Sequence, residues 1–147
     1  MILPDVNVLI YAFREGAPEH DQYADWLNEL VGGADELALH DAVLGGFVRI
    51  VTNPRIADPP AKTATALKFV KDLRQAKRVS WLHSSDAVWD QLAKFAHHDR
   101  GIRANAIPDA YLAACAKVHG AQLATADRGF GRFPGFRWFD PADRPFS

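Results

Sequence analysis

The first thirteen residues place a charged side chain between two apolar segments. Ile2 and Leu3 are predicted to form a short buried strand and residues 7–13 the first turns of an apolar helix, so Asp5 follows the carboxyl end of the strand. Ligands bind at this end of the strands in open α/β sheets. A carboxylate between two buried elements costs free energy unless it is paired, hydrogen-bonded or bound to a metal ion. Asp5 therefore either caps the helix amides, as Asn7 also could, or belongs to a binding site.

The composition describes one globular domain. A chain of 147 residues, 48% hydrophobic and 24% charged, can bury an ordinary core, so residues 1–147 are predicted to form a single domain. The single cysteine, Cys115, excludes an internal disulfide and is predicted to be a small buried hydrophobe. The absence of a signal sequence or membrane span predicts a cytoplasmic protein without a membrane partner. The net charge of −1 excludes a generally basic nucleic-acid binder, so any RNA would meet a local patch.

Strand and helix patterns alternate along the chain. Further strands are predicted at residues 36–39, 79–82, 122–124 and 136–139. Helices are predicted to begin near Pro18, Asp41, Ala61, Ser85 and Pro108, with Asp41 as one cap and Ser85 or Asp86 as another. Residues 97–103 are predicted to form a loop, and the chain ends in a proline-rich tail. This alternation predicts an α/β fold in which helices cover a central parallel sheet of four to five short strands.

Two further aspartates occupy positions that a parallel sheet brings toward Asp5. Asp109 follows a proline in the first turn of a helix, where an anionic side chain is favoured in any case. Asp127 follows a predicted strand and could equally be a turn residue bonded to its own backbone. Three neighbouring carboxylates repel one another unless protons or a cation offset their charge. If they converge, the all-oxygen set favours Mg²⁺ or Mn²⁺.

Several segments, taken in order, resemble the PIN-domain ribonucleases of the VapC toxin type. They are DVNVL at residues 5–9, FVRIVTNPRI at 47–56, PDAYLAA at 108–114, TADRGF at 125–130 and FPGFRWFDP at 133–141. The resemblance implies a PIN-like three-layer α/β/α fold. It also implies a metal-dependent endoribonuclease that cuts transfer or ribosomal RNA to leave a 5′-phosphate and a 3′-hydroxyl. A cognate VapB-type antitoxin would hold the enzyme inactive, and a homodimer is expected.

The resemblance assigns catalytic and metal-binding roles to Asp5, Asp109 and Asp127, with Asn7 and Thr125 as supporting polar neighbours. It also exposes a departure from the family pattern, because the usual second acidic residue falls at Gly46. Asp41 lies five residues earlier, about 140° around a helix, so it cannot simply replace that side chain. Weaker metal binding, and weak or Mn²⁺-preferring activity, would follow from a site with three carboxylates.

The remaining candidates concern substrate contact. Four arginines are candidate phosphate ligands because the guanidinium matches phosphate geometry: Arg14, Arg49, Arg103 and Arg128. Each could instead be solvated surface charge, and Arg49 could contact the antitoxin. The four tryptophans are predicted to pack in the core rather than stack on bases: Trp26, Trp81, Trp89 and Trp138. His97 and His98 fit no zinc spacing and are predicted to be solvated.

Two other functional classes stay open from the sequence. A phosphatase using Asp5 as nucleophile would share an α/β sheet, but Asn7 stands where a second carboxylate is expected and no partner lysine is evident. A non-catalytic module that binds RNA or antitoxin is compatible with Gly46. For the nuclease, metal-activated water is the expected nucleophile, so no protein nucleophile is needed.

Overall fold

Five short parallel strands form the centre of the computed structural model, which describes residues 1–143. They are β1 (Ile2–Pro4), β2 (Leu37–Leu39), β3 (Val79–Trp81), β4 (Gln122–Ala124) and β5 (Trp138–Phe139). Their order in the sheet is β3-β2-β1-β4-β5, and each neighbouring pair is parallel. The predicted parallel α/β sheet is confirmed. The proline-rich tail extends beyond the described residues.

Six α-helices connect and cover these strands. They are α1 (Val6–Phe13), α2 (His20–Gly32), α3 (Asp41–Val51), α4 (Thr63–Arg74), α5 (Asp86–His98) and α6 (Ile107–Val118). Pro18 does not start α2 as predicted, because residues 15–19 form turns and a bend before the helix begins at His20. The predicted loop at residues 97–103 is also wrong at its start, since His97 and His98 form the last turn of α5. Ser85 precedes α5, but no side-chain hydrogen bond caps that helix.

The core lies between the sheet and its helices. Leu3, Leu37 and Leu123, one from each of the three inner strands, are fully buried. Cys115 is buried as predicted, and burial raises the pKa of its thiol to about 11. Core packing is confirmed for Trp26 but wrong for two other tryptophans, Trp81 at 40% and Trp89 at 56% exposure. Trp81 ends β3, which is an edge strand and so has a neighbour on one side only. Within residues 1–143, no helix is long and apolar enough to cross a membrane.

Parallel strands bring their carboxyl ends to one edge of the sheet. Asp5 follows β1, His40 follows β2 and Thr125 follows β4, so three consecutive neighbours in the sheet each end in a polar residue. The backbone N–H of Asp5 donates to the carbonyl of Ala124 at 2.8 Å, which fixes β1 against β4 at this edge. The three polar residues are themselves buried, with at most 9% exposure.

Candidate functional site

Asp5 performs the capping role that the sequence left open, and its second carboxylate oxygen accepts hydrogen bonds from a polar cluster. It is the amino-terminal cap of α1, and its Oδ1 accepts a hydrogen bond from the N–H of Val6 at 2.7 Å. Its Oδ2 accepts a bond from the hydroxyl of Thr125 at 2.8 Å and a longer one from Asn7 Nδ2 at 3.3 Å. Because capping uses only Oδ1, Oδ2 remains directed into a polar cluster shared with β4.

Thr125 and Asn7 join the start of α1 to the loop that follows β4. The Thr125 hydroxyl accepts from the N–H of Asp127 at 3.0 Å and from Asn7 Nδ2 at 3.2 Å, while donating to Asp5. Asn7 Oδ1 accepts from the N–H of Ala126 at 3.1 Å. Thr125 is fully buried, so its hydroxyl depends on these protein partners. The network holds Asp5 and the backbone of Asp127 in a fixed relationship.

Asp127 and Asp109 extend the carboxylate group beyond Asp5. Asp127 caps the short 3-10 helix Arg128–Arg132 by accepting from the N–H of Gly129 at 2.8 Å. Asp109 lies in the first turn of α6 and is partly buried. We call Asp5, Asp109 and Asp127 the acidic edge.

The three carboxylates of the acidic edge share one electrostatic field. Burial raises the pKa of Asp5, and the charge of Asp127 adds to this, while hydrogen bonds from Thr125 and Val6 oppose it. Burial also raises the pKa of Asp109, and the charges of Asp5 and Asp127 raise it further. The charges of these carboxylates therefore oppose one another's ionisation. This opposition disfavours full ionisation of the group unless a cation is bound.

The acidic edge is open rather than closed around a single ion position. No three His, Cys, Asp or Glu side chains within residues 1–143 are arranged as a ready metal cluster. The donors of the edge are nonetheless all oxygens, which suit a hard divalent cation. Mg²⁺ in particular is commonly held by one or two carboxylates together with water and substrate phosphate, so an open edge fits that mode of binding.

The position expected to carry a fourth acid, Gly46, has no side chain and lies against the first residue of α1. A Cβ built on Gly46 would lie 3.4 Å from Cγ2 of Val6, the residue that follows Asp5. Asp41 does not compensate. It is the exposed first residue of α3, and its predicted role as the cap is wrong because His40 caps that helix.

His40 was not found by sequence reasoning, since histidine is not among the usual capping residues. Its Nδ1 accepts from the N–H of Ala42 at 3.0 Å, so in the neutral ring Nε2 carries the proton and donates to the Tyr111 hydroxyl at 3.2 Å. Burial lowers the pKa of His40; Asp41 opposes this, whereas His119 and His83 add to it. A neutral histidine therefore joins the start of α3 to α6.

The four candidate arginines lie on or beside four different helices. Arg14 follows the far end of α1, about 12 Å of helix from Asp5, and Arg49 is an exposed residue in the last turn of α3. Arg103 is exposed just before the 3-10 helix that leads into α6. Arg128 follows Asp127 but pairs with Asp143 at 2.9 Å. Their phosphate roles stay predictions.

A fifth arginine, Arg132, was missed. It forms two hydrogen bonds to Asp99 Oδ2, at 3.0 and 2.8 Å, and its charge lowers the pKa of Asp109. Its partner lies 33 residues away in the chain, so no local pattern could reveal the pair. The contact holds a guanidinium close enough to act on the acidic edge.

The chain is similar to known proteins in both sequence and fold. The PIN domain family model matches residues 2–135. The chain is 38% identical over 143 residues to the VapC ribonuclease Mb2897 of Mycobacterium bovis, covering 97% of each protein. In fold it is similar to VapBC2 of Rickettsia felis bound to a promoter DNA fragment, with a TM-score of 0.69, 18% identity and coverage of 95% of this chain and 98% of that one. It is also similar to VapC20 of Mycobacterium tuberculosis, a sarcin-ricin loop cleaving toxin, with a TM-score of 0.65, 16% identity and coverage of 92% and 96%.

Proposed function

Because the chain belongs to the PIN-domain family and, within it, to the VapC ribonucleases, we propose that its acidic edge holds a divalent metal ion for the hydrolysis of RNA phosphodiester bonds. The predicted function, a toxin endoribonuclease of a toxin–antitoxin pair, is confirmed by the same matches. One feature supports the metal proposal most strongly: Asp109 is partly buried near two other carboxylates, so that burial first, and the charges of Asp5 and Asp127 second, raise its pKa. A divalent cation offsets this repulsion without protonating the carboxylates.

The metal ion and the side chains of the protein would have separate roles in the hydrolysis. Asp5, Asp109 and Asp127 would hold a Mg²⁺ or Mn²⁺ ion, which when bound would supply activation of a water molecule and offset negative charge on the phosphate. Thr125 and Asn7 keep Asp5 and the loop containing Asp127 in place, so little reorganisation is needed during reaction.

Phosphate positioning falls to arginine. Arg132, held by Asp99 and acting on Asp109, supports a role at this edge, and Arg103 and Arg128 lie in segments that flank the acidic residues. A guanidinium there would balance a phosphate that approaches three carboxylates. We therefore add Arg132 to the arginines proposed from the sequence.

We extend the proposal to partners and location. The similarity to VapBC2 of Rickettsia felis supports a VapB-type antitoxin, and the similarity to VapC20 supports ribosomal RNA as one substrate class beside transfer RNA. We further propose a homodimer acting in the cytoplasm. Exposed loops of folded RNA are the expected targets, because proteins read RNA sequence mainly where bases are unpaired.

The decisive experiment is cleavage of labelled RNA by purified protein with Mg²⁺ or Mn²⁺, compared with Asp5→Asn. Asp5→Asn should lower the rate at least about 100-fold, because it removes a metal ligand while retaining a cap for α1. Asp21→Asn is the matched control: Asp21 is likewise an aspartate near the start of a helix, but it is exposed in the first turn of α2, so the cleavage rate of this variant should be unchanged. Equal cleavage by wild type and Asp5→Asn would indicate contamination and contradict the proposal.

The absent side chain at Gly46 favours one second candidate, a module that binds RNA or antitoxin without cutting. RNA binding with no cleavage under either metal would support it. The phosphatase alternative is weakened because Asp5 is 9% exposed and both of its oxygens accept hydrogen bonds. A covalent phosphate on Asp5 after incubation with a phosphodonor would revive it.

A further inference from the structure

Asp99 ends α5, and both of its carboxylate oxygens have partners. Its backbone N–H donates to the carbonyl of Phe95 at 2.9 Å, which fixes Asp99 on the last turn of the helix. Its Oδ1 accepts from the N–H of Gly101 at 2.8 Å and closes a tight turn. Its Oδ2 accepts from Nε and Nη2 of Arg132, at 3.0 and 2.8 Å. The carboxylate therefore joins the turn after α5 to the guanidinium of Arg132.

The contact with Asp99 orients the guanidinium of Arg132 without using all of its hydrogen-bond donors. Arginine has five N–H donors and Asp99 takes two of them, so three remain for another ligand. Gly101 leaves the space in which the guanidinium lies, because a Cβ at this position would be 2.9 Å from Nη2 of Arg132 and 3.0 Å from Oδ1 of Asp99. A side chain at position 101 would therefore displace the guanidinium.

Apolar packing beside this ion pair already holds the two segments together. The rings of Phe95 and Phe133 are buried and lie 5.2 Å apart, so they join α5 to the residue that follows the 3-10 helix Arg128–Arg132. The side chains of Asp99 and Arg132 keep 30% and 38% exposure, and ion pairs on the surface contribute little to stability. The pair therefore does little for the fold, whereas it fixes the direction of a cation.

The cation that Asp99 orients lies beside the acidic edge. Asp127 caps the 3-10 helix that Arg132 ends, so about 10 Å of helix separates the two residues at about 2 Å per residue. The positive charge of Arg132 also acts on Asp109 of α6. The guanidinium is thus fixed next to the carboxylates at the place where the phosphate of an RNA would arrive.

We propose that Asp99 is a positioning residue for RNA cleavage, which holds the guanidinium of Arg132 where negative charge develops on the phosphate. The inference rests on the proposed function, in which Arg132 contacts the phosphate, and adds the residue that orients this arginine. A guanidinium that is already oriented stabilises the developing charge without reorganisation. Without the carboxylate of Asp99, Arg132 would still attract RNA but would no longer be held toward the reacting phosphate.

Cleavage kinetics and RNA binding separate the orientation of Arg132 from its charge. Asp99→Asn in the full chain should lower kcat about tenfold. Its affinity for a labelled RNA hairpin, measured by fluorescence anisotropy in chelator, should stay the same or rise, because the variant loses a negative charge. Arg132→Gln should lower kcat about 100-fold and also weaken RNA binding. Asp72→Asn, which breaks the exposed ion pair with Lys68 on α4, is the matched control and should change neither quantity.

Two further variants test whether Asp99 acts through Arg132. In the Arg132→Gln protein, adding Asp99→Asn should lower kcat no further, because the effect of Asp99 depends on the guanidinium. Gly101→Ala keeps both charges but displaces the guanidinium, so it should lower kcat several-fold at unchanged RNA affinity. Gly32→Ala is its control, since an added Cβ there meets no atom within 4 Å, and kcat should not change.

The outcomes distinguish this inference from the proposed activity. If wild type cleaves RNA and Asp99→Asn has the same kcat, the positioning role is overturned and the nuclease stands. An equal loss of kcat from Asp99→Asn with and without Arg132 would also overturn it. If wild type does not cleave RNA with either metal, the proposed activity is refuted, and the positioning role with it.

Discussion

The two sides of the acidic edge differ in how completely hydrogen bonds fix their side chains. On the side of β1 and β4, Asp5, Asn7 and Thr125 form a closed hydrogen-bond network that includes the backbone of Asp127. On the side of β2 and α3, Gly46 offers no side chain and His40 is a neutral cap. One side is thus preorganised and the other incomplete. A site of this kind is expected to position one metal ion better than two.

Removing a hydrogen-bonding group from the preorganised side of the acidic edge should have the largest effect on metal affinity and RNA cleavage. Thr125→Val removes a hydroxyl that donates to Asp5 and accepts from the N–H of Asp127, so metal affinity and RNA cleavage should fall about 10–100-fold. Unfolding free energy should fall by about 1–3 kcal/mol, since buried partners are left unsatisfied. Thr125→Ser, which keeps the hydroxyl, should recover most of the cleavage rate. A Val variant as active as wild type would show that the network does not support catalysis.

Adding a carboxylate at position 46, on the incomplete side of the acidic edge, should have a smaller effect, and it should tighten metal binding rather than weaken it. Gly46→Glu places a carboxylate beside Val6 and should tighten Mn²⁺ binding about tenfold, equivalent to about 1.4 kcal/mol. Gly45→Glu, one residue away on the open face, should leave Mn²⁺ affinity unchanged. Calorimetric titration measures both. Equal affinities for the two variants would mean that position 46 does not face the metal.

Removing one charge from the acidic edge should stabilise the metal-free protein. The pKa of Asp109 is raised by burial and by Asp5 and Asp127, so its charged form opposes folding at neutral pH. Asp109→Asn should raise the melting temperature in chelator by a few degrees, as each 1 kcal/mol corresponds to about 2–4 °C at this size. With added Mn²⁺, the wild type should instead have a higher melting temperature than Asp109→Asn. A lower melting temperature for Asp109→Asn in chelator would contradict mutual repulsion.

The smallest predicted effect is the pH dependence from His40. Its pKa is lowered from the ordinary 6.5, so below pH 6.5 the unfolded chain binds the proton more readily and stability falls as pH decreases. One proton limits the slope to about 1.4 kcal/mol per pH unit. Protonation also occupies Nδ1, which caps α3. Asparagine can cap the helix without titrating, so His40→Asn should reduce the dependence of the free energy of unfolding on pH just below pH 6.5, as measured by chemical denaturation. An unchanged dependence on pH would exclude His40 as its source.

The predicted strand ends and the parallel sheet were sufficient to bring the residues at β1 and β4 together, although Asp5 and Thr125 lie 120 positions apart in the chain. Asp5 and Asn7 share one strand–helix junction and Thr125 and Asp127 share one turn, so the parallel sheet was enough to bring these groups together. The fold, family and toxin endoribonuclease function are confirmed, while the metal-binding and catalytic residues stay predictions. The pair of Arg132 and Asp99 and the cap by His40 depend on tertiary contacts that no periodic pattern encodes.

The tryptophans show a related limit. Apolar periodicity predicts a buried position for each of Trp26, Trp81 and Trp89. Whether a side chain is buried also depends on which other elements cover its face. Trp81 ends an edge strand, and Trp89 packs one ring against Tyr111 while most of its surface stays exposed.

The central claim is that Asp5, Asp109 and Asp127 hold one divalent ion, and Mn²⁺ binding tests it most directly. Calorimetry or electron paramagnetic resonance should find one Mn²⁺ per chain in wild type and in Asp21→Asn. Asp5→Asn, Asp109→Asn and Asp127→Asn should each weaken that binding at least about tenfold. Unchanged Mn²⁺ affinity in all three variants, with their folds intact, would contradict the claim.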